Sequence, residues 1–96
     1  MALFKIITYP QGFSASYWRV YGLTNVDIDK EVGYVMLAGY ANYEIRNENP
    51  KNFIEIRTFE VPLTKEDLLN GTVYSKSYDT IKNTEEFRGA ETLWLK

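Results

Sequence analysis

Phe53-Ile54-Glu55-Ile56-Arg57-Thr58-Phe59-Glu60-Val61-Pro62 alternates two sets of side chains and then stops at a proline. Alternation is the mark of a strand, because successive side chains point to opposite faces of a sheet. Ile54 and Ile56 are expected to face the core, and Glu55 with Arg57 to face water or a partner. Pro62 has no N–H to give to a ladder, so the strand ends there. Beyond it the period changes. Thr64-Lys65-Glu66-Asp67-Leu68-Leu69-Asn70-Gly71 reads as a short capped helical turn: a threonine N-cap, acids at the positive helix end and a closing glycine. Val73, Ser77, Tyr78 and Ile81 then recur at three- and four-residue spacing with Lys76 and Lys82 outward, which predicts a helix from Thr72 to Lys82. Asn83-Thr84 break it, and Phe87, Ala90, Leu93 and Trp94 form a last apolar set.

Upstream of this stretch the chain reads as strand. Leu3 to Tyr9 is β-branched and aromatic and is closed by Pro10-Gln11-Gly12. Phe13 to Val20 follows, with Phe13, Ala15, Tyr17 and Arg19 on one face and Ser14, Ser16, Trp18 and Val20 on the other. Neither face is cleanly polar, so this strand is expected to be sandwiched or to lie at an assembly surface. Gly22 suggests a bulge or bend, extended at Asn25. Val26 to Asp29 alternates as a half-exposed strand, and Asp29 to Gly33 reads as a hairpin connection in which Gly33 is free to take a positive φ. Tyr34 to Glu44 is the return strand; Gly39 within it either marks a bulge or lets a neighbouring aromatic ring lie across bare backbone. Arg46 to Asn52 holds no apolar residue and contains Asn49-Pro50, which is loop chemistry. The fold class is therefore α+β: four to five antiparallel strands, flat or curled, with one main C-terminal helix on one face. A single domain over 1–96 is expected, mainly strand over 1–61 and mainly helical over 62–96.

Ninety-six residues suffice for one domain and not for two, and 45% apolar with 25% charged residues excludes a disordered chain. There is no cysteine and no histidine. That removes disulfides, thiolate nucleophiles, Cys/His zinc sites and imidazole acid–base chemistry. No apolar run is long enough to span a bilayer, and Met1 to Ile7 lacks the basic leader and cleavage site of a signal peptide. With net charge −2 and no basic stripe, neither nucleic acid nor membrane is an expected partner. The outlying figure is 16% aromatic residues, which suits strands, protein interfaces or sugar platforms.

Three constellations bear on chemistry. Asp27, Asp29 and Glu31 share one side of a strand and can hold a hard cation, but Val32 and Ala38 stand where a calcium loop needs Gly and Glu. They read as a solvated hairpin tip, and no metal or cofactor is expected. Glu55, Arg57 and Glu60, beside Glu44 and Arg46, place carboxylates near one another as glycoside hydrolysis requires. Cross-strand arginines instead lower carboxylate pKa values and tie both partners up as an ion-pair ladder. The scattered glycines at 12, 22, 33, 39, 71 and 89 form no phosphate loop. Catalytic residues are therefore not assigned. Candidate interface residues are Tyr17, Trp18, Tyr21, Tyr40, Tyr43, Leu93 and Trp94. Because Leu93-Trp94-Leu95 needs cover on both faces, this segment is expected either as an added edge strand or as a hook into a neighbouring subunit.

Ala15-Ser16-Tyr17-Trp18-Arg19-Val20, Val26-Asp27-Ile28-Asp29-Lys30 and Ala38-Gly39-Tyr40 together resemble small proteins of phages and prophages of Gram-positive bacteria. The similarity continues through Leu68, Tyr78 to Lys82 and Phe87 to Glu91. Those proteins tend to be encoded in or near the tail module. The resemblance implies a non-enzymatic structural role in the virion, at the tail or baseplate, with copies of itself and other virion proteins as partners in a homo-oligomer. A small carbohydrate-binding module that helps attachment to the host wall is the alternative, resting on the Tyr and Trp content.

Overall fold

In the computed structural model, which describes residues 1–93, the first and last described strands belong to one sheet. The strands are β1 (Ala2–Thr8), β2 (Ser14–Asp27), β3 (Val32–Tyr40), β4 (Glu55–Pro62) and β5 (Glu91–Leu93). Helix α1 (Tyr43–Glu48) lies between β3 and β4, and α2 (Lys65–Asn70) and α3 (Val73–Lys82) lie between β4 and β5. The sheet is antiparallel in the order β4-β3-β2-β1-β5, and its two edges do not meet. It is an open sheet rather than a barrel. The α+β class, five strands and one main C-terminal helix are as the sequence predicts.

The helical elements follow their local signals. Thr64 caps α2 by a capping box: its hydroxyl accepts from the Asp67 N–H, and the Asp67 carboxylate accepts from the Thr64 N–H. Helix α3 begins after Thr72 and buries Val73, Ser77, Tyr78 and Ile81, the four residues whose spacing defines it. Its apolar stripe needs cover, and the sheet face carrying Leu3, Trp18 and Leu37 supplies it, with Phe87 and Ala90 filling in from the turn after the helix. Val35, Val61, Leu63 and Val73 continue this layer toward α2. Ala2, Tyr17, Ala38 and Tyr40 are the sequence neighbours of Leu3, Trp18, Leu37 and Gly39, so alternation places them on the opposite face. Tyr43 from α1 packs there together with Phe53, Ile56 and Leu93.

Several boundaries differ from the sequence expectation. Phe13 to Val20 and Val26 to Asp29 are not two strands: β2 runs unbroken to Asp27, with irregularities at Val20/Gly22 and Leu23/Asn25, where Gly22 and Asn25 suggested them. At the hairpin tip the left-handed residue is Glu31, with φ 55°, and not Gly33, which lies in β3 beneath Leu63. The return strand ends at Tyr40 rather than Glu44, because Asn42 accepts the Ile45 N–H and starts α1. The loop expected from Arg46 therefore begins only at Asn49. Both faces of β4 are covered. Ile54, just before the strand, packs on the α3 side with Phe59 and Val61, and Ile56 packs on the opposite face, so both isoleucines meet the core as expected. Arg57, expected outward, shares the α3 side, its guanidinium lying over Trp18 and Phe87. The strand over 1–61 is thus interrupted by α1, and the segment after 61 includes β5 as well as α2 and α3.

Gly39 takes the second of its two expected roles. A Cβ on it would stand 2.5 Å from Trp18 Cζ3 and within 2.8 Å of two more ring atoms, so the indole lies flat against bare backbone. Trp18 Nε1 donates to the Lys5 carbonyl at 2.8 Å, beside the register irregularity between Phe4 and Ile7. Phe87 meets the ring edge-on at 5.1 Å.

Candidate functional site: an arginine–tyrosine recess and an open sheet edge

The aromatic residues that sequence reading assigned to an interface separate into two groups. Tyr17, Trp18 and Tyr40 are at most 2% exposed, enclosed by this chain's own elements. They are core residues, and the two-sided apolar pattern of β2 reflects a sheet covered on both faces at this point. Tyr43 and Leu93 are half-buried against that second layer. Tyr21 is 42% exposed and rests edge-on against Phe53. Trp94 lies outside the described residues. Of the two forms expected for the C-terminal segment, Glu91–Leu93 takes the first, an edge strand antiparallel to β1 with Leu93 opposite Ala2.

That edge strand is short. It pairs with Ala2, Leu3 and Phe4 only, so among the described residues no strand lies beside Lys5–Thr8 on the outer side of β1. Ile6 sits on this stretch and is 60% exposed, and Phe4, paired with Glu91 at its border, is 40% exposed. Both were overlooked as interface residues, although their alternation with Lys5 is visible in the sequence. An unpaired, apolar strand edge is a template for pairing with another chain.

A second feature lies where β2 leaves the end of β1. The Tyr78 hydroxyl, carried up from α3, accepts from the Val20 N–H at 2.7 Å and donates to the Met1 carbonyl at 2.9 Å. The phenol thus stands in for the next rung of the β1–β2 ladder. Beside it opens a cavity of about 390 Å³ lined by Met1, Arg19, Val20, Arg46, Tyr74 and Tyr78. A smaller cavity of about 170 Å³ shares Arg19, Val20 and Arg46 and adds Tyr21, Tyr40 and Pro50. Among the described residues no carboxylate is within ion-pair distance of either arginine, and Arg46 Nε is buried with no acceptor. The Tyr17 hydroxyl is likewise buried without a partner. A buried polar group left without a partner costs roughly 1–3 kcal/mol, so each calls for an explanation.

Burial pushes the Tyr78 phenol above its ordinary value of 10.0, against the Val20 N–H and Arg19, which favour the phenolate. The neutral phenol is the form that donates to Met1. An acid with a raised folded-state pKa contributes stability below the unfolded value and loses it as pH rises through the folded value. Stability should therefore decline above about pH 10, and Tyr78→Phe should cost about 1–3 kcal/mol at neutral pH and flatten that decline. Urea melts of both proteins from neutral to alkaline pH measure it; equal stability of the two would show that the hydroxyl bridges nothing of consequence.

The acidic constellations settle into structural roles. Asp27 Oδ1 accepts the Lys30 N–H and shapes the hairpin tip, and among the described residues no group of three potential ligands is placed to hold a metal. Glu55 accepts hydrogen bonds from Tyr9 and Arg57, and Arg57 also meets Glu86. The partners differ from those expected, since Glu44 and Arg46 stand on α1 and not on a strand beside β4. Burial raises the Glu55 pKa, but Arg57 and Tyr9 outweigh it and hold the carboxyl below its ordinary value. A glycosidase acid needs the opposite shift. No described helix is long and apolar enough to cross a membrane.

Comparison with models of protein families, with curated proteins and with solved structures returns no match for this chain. The geometry is therefore the ground on which function must be argued.

Proposed function

We propose that this chain is a non-enzymatic assembly protein of a phage particle, a tail or baseplate component that associates with copies of itself or with sibling virion proteins. The observation that carries the reading is the outer edge of β1, unpaired from Lys5 to Thr8 among the described residues, bearing the exposed Ile6 and bordered by the exposed Phe4. A strand from a neighbour added there would satisfy the free backbone groups of β1 and cover both side chains. The resemblance of Ala15 to Val20, Val26 to Lys30 and Ala38 to Tyr40 to tail-module proteins supports the virion as the setting. The carbohydrate-binding alternative loses Trp18 as a stacking platform, since its ring is 0% exposed, and keeps only Tyr21 and Tyr74 as exposed tyrosines.

Mass spectrometry of purified particles checks this placement. Peptides of this chain should copurify with tails at a constant ratio to the other tail proteins. Their absence from complete, infectious particles would exclude a virion role.

A further inference from the structure

The recess between β2, the last turn of α1 and α3 is poorly explained by folding alone. Two guanidinium groups line the same pair of contiguous cavities, Arg19 from β2 and Arg46 from α1. Like charges held together repel, and the chain carries thirteen acidic residues from which a counter-charge could have been supplied. Among the described residues none approaches either arginine. A desolvated donor lies in the same lining: Arg46 Nε is buried and has no partner. Two hydroxyls of the lining are already committed, Tyr40 to the Pro50 carbonyl and Tyr78 to the Met1 carbonyl.

We propose that this recess binds a phosphate monoester, with Arg19 and Arg46 as its anion clamp and the Tyr74 and Tyr21 rings at its rims. A dianion matches two fixed positive charges, and the planar guanidinium fork fits phosphate oxygens two at a time. The larger cavity, about 390 Å³, is within the range of small-ligand sites and leaves room for an organic body beyond the phosphate. Tyr74, 57% exposed on α3, is placed to lie against that body. The site is distinct from the β1 edge, so it stands or falls apart from the assembly reading.

The test is an NMR titration of the whole chain with inorganic phosphate and, separately, with phenyl phosphate, using chloride at matched ionic strength as the reference. Both phosphates should give saturable shifts at Arg19, Val20 and Tyr78, and chloride none. Phenyl phosphate should bind several-fold tighter if the aromatic rim takes part, and should tighten as pH rises through about 6, where the monoester gains its second charge. Arg19→Gln and Arg46→Gln should each weaken binding tenfold or more, while Lys30→Gln at the distant hairpin tip leaves it unchanged. Circular dichroism of the two arginine variants separates loss of the site from loss of fold. Linear, unsaturable shifts, equal shifts with chloride, or full binding by both folded arginine variants would overturn the proposal.

Discussion

Trp18→Ala should unfold much of the population under conditions where the parent is folded. The ring is fully buried, meets Phe87 edge-on at 5.1 Å, lies 5.3 Å under the Arg57 guanidinium and donates its N–H to the Lys5 carbonyl. Truncating a large buried aromatic leaves a cavity that the surroundings fill only in part, at a cost of about 3–5 kcal/mol. A small domain holds roughly 5–15 kcal/mol in total, so this single change removes a large share of it. With about 4–8 °C lost per kcal/mol in a domain of this size, the melting temperature should fall by more than about 12 °C. Trp18→Phe keeps a ring but drops the donor, and should cost less. Thermal melts followed by far-UV circular dichroism measure both. A Trp18→Ala loss under about 1 kcal/mol would mean that the indole is not the centre of this core.

Gly39→Ala should be nearly as damaging, for the opposite reason. The added Cβ would meet three ring atoms of Trp18 at 2.5–2.8 Å. The ring cannot retreat, because Phe87 and Arg57 hold its other surroundings. Overpacking of this kind typically costs about 1–3 kcal/mol and here should reach the upper end. Gly33→Ala makes a contact equally close, 2.5 Å, but to the methyl end of Leu63, which can rotate. It should cost less than Gly39→Ala. Because Gly39 and Trp18 share one contact, the clash should vanish in a Trp18→Leu background, where adding Gly39→Ala costs little. Additive losses in that double variant would show that the two residues do not meet.

These two residues also show what the sequence could and could not say. Gly39 within an apolar strand allowed a bulge or an aromatic lying over it, and only the register that sets Trp18 opposite Gly39 decides between them. Helix α3 was legible in full, because its period fixes both its ends and its buried face. Helix α1 was not: it is six residues long with no buried residue, and its one signal was Asn42 as a cap three residues before Ile45. The inward place of Arg57 on β4 has a plain cause. Arg57 reads as an outward residue, yet its guanidinium lies over Trp18, close to Phe87, while meeting Glu55 and Glu86 at the rim.

The interface residues expose the same limit. The alternation of β2 allows a strand sandwiched within the chain or one at an assembly surface, and the burial of Tyr17 and Trp18, with Tyr40 on β3, selects the first. How much of the β1 edge remains open depends on how far β5 extends along it, which pairing alone determines. The recess joins Arg19 and Arg46 from elements far apart in the chain, and neither arginine carries a local motif.

The central claim is that the outer edge of β1 is an assembly surface, and sedimentation velocity over a range of protein concentrations tests it most directly. The parent chain, alone or mixed with sibling tail proteins, should form species larger than the monomer. Ile6→Lys on the unpaired stretch, combined with Phe4→Lys at its border with β5, places two charges on exposed positions, so it should abolish those species while leaving the melting temperature nearly unchanged. A parent that stays strictly monomeric and binds no sibling protein, or a double lysine variant that assembles as well as the parent, would contradict the account.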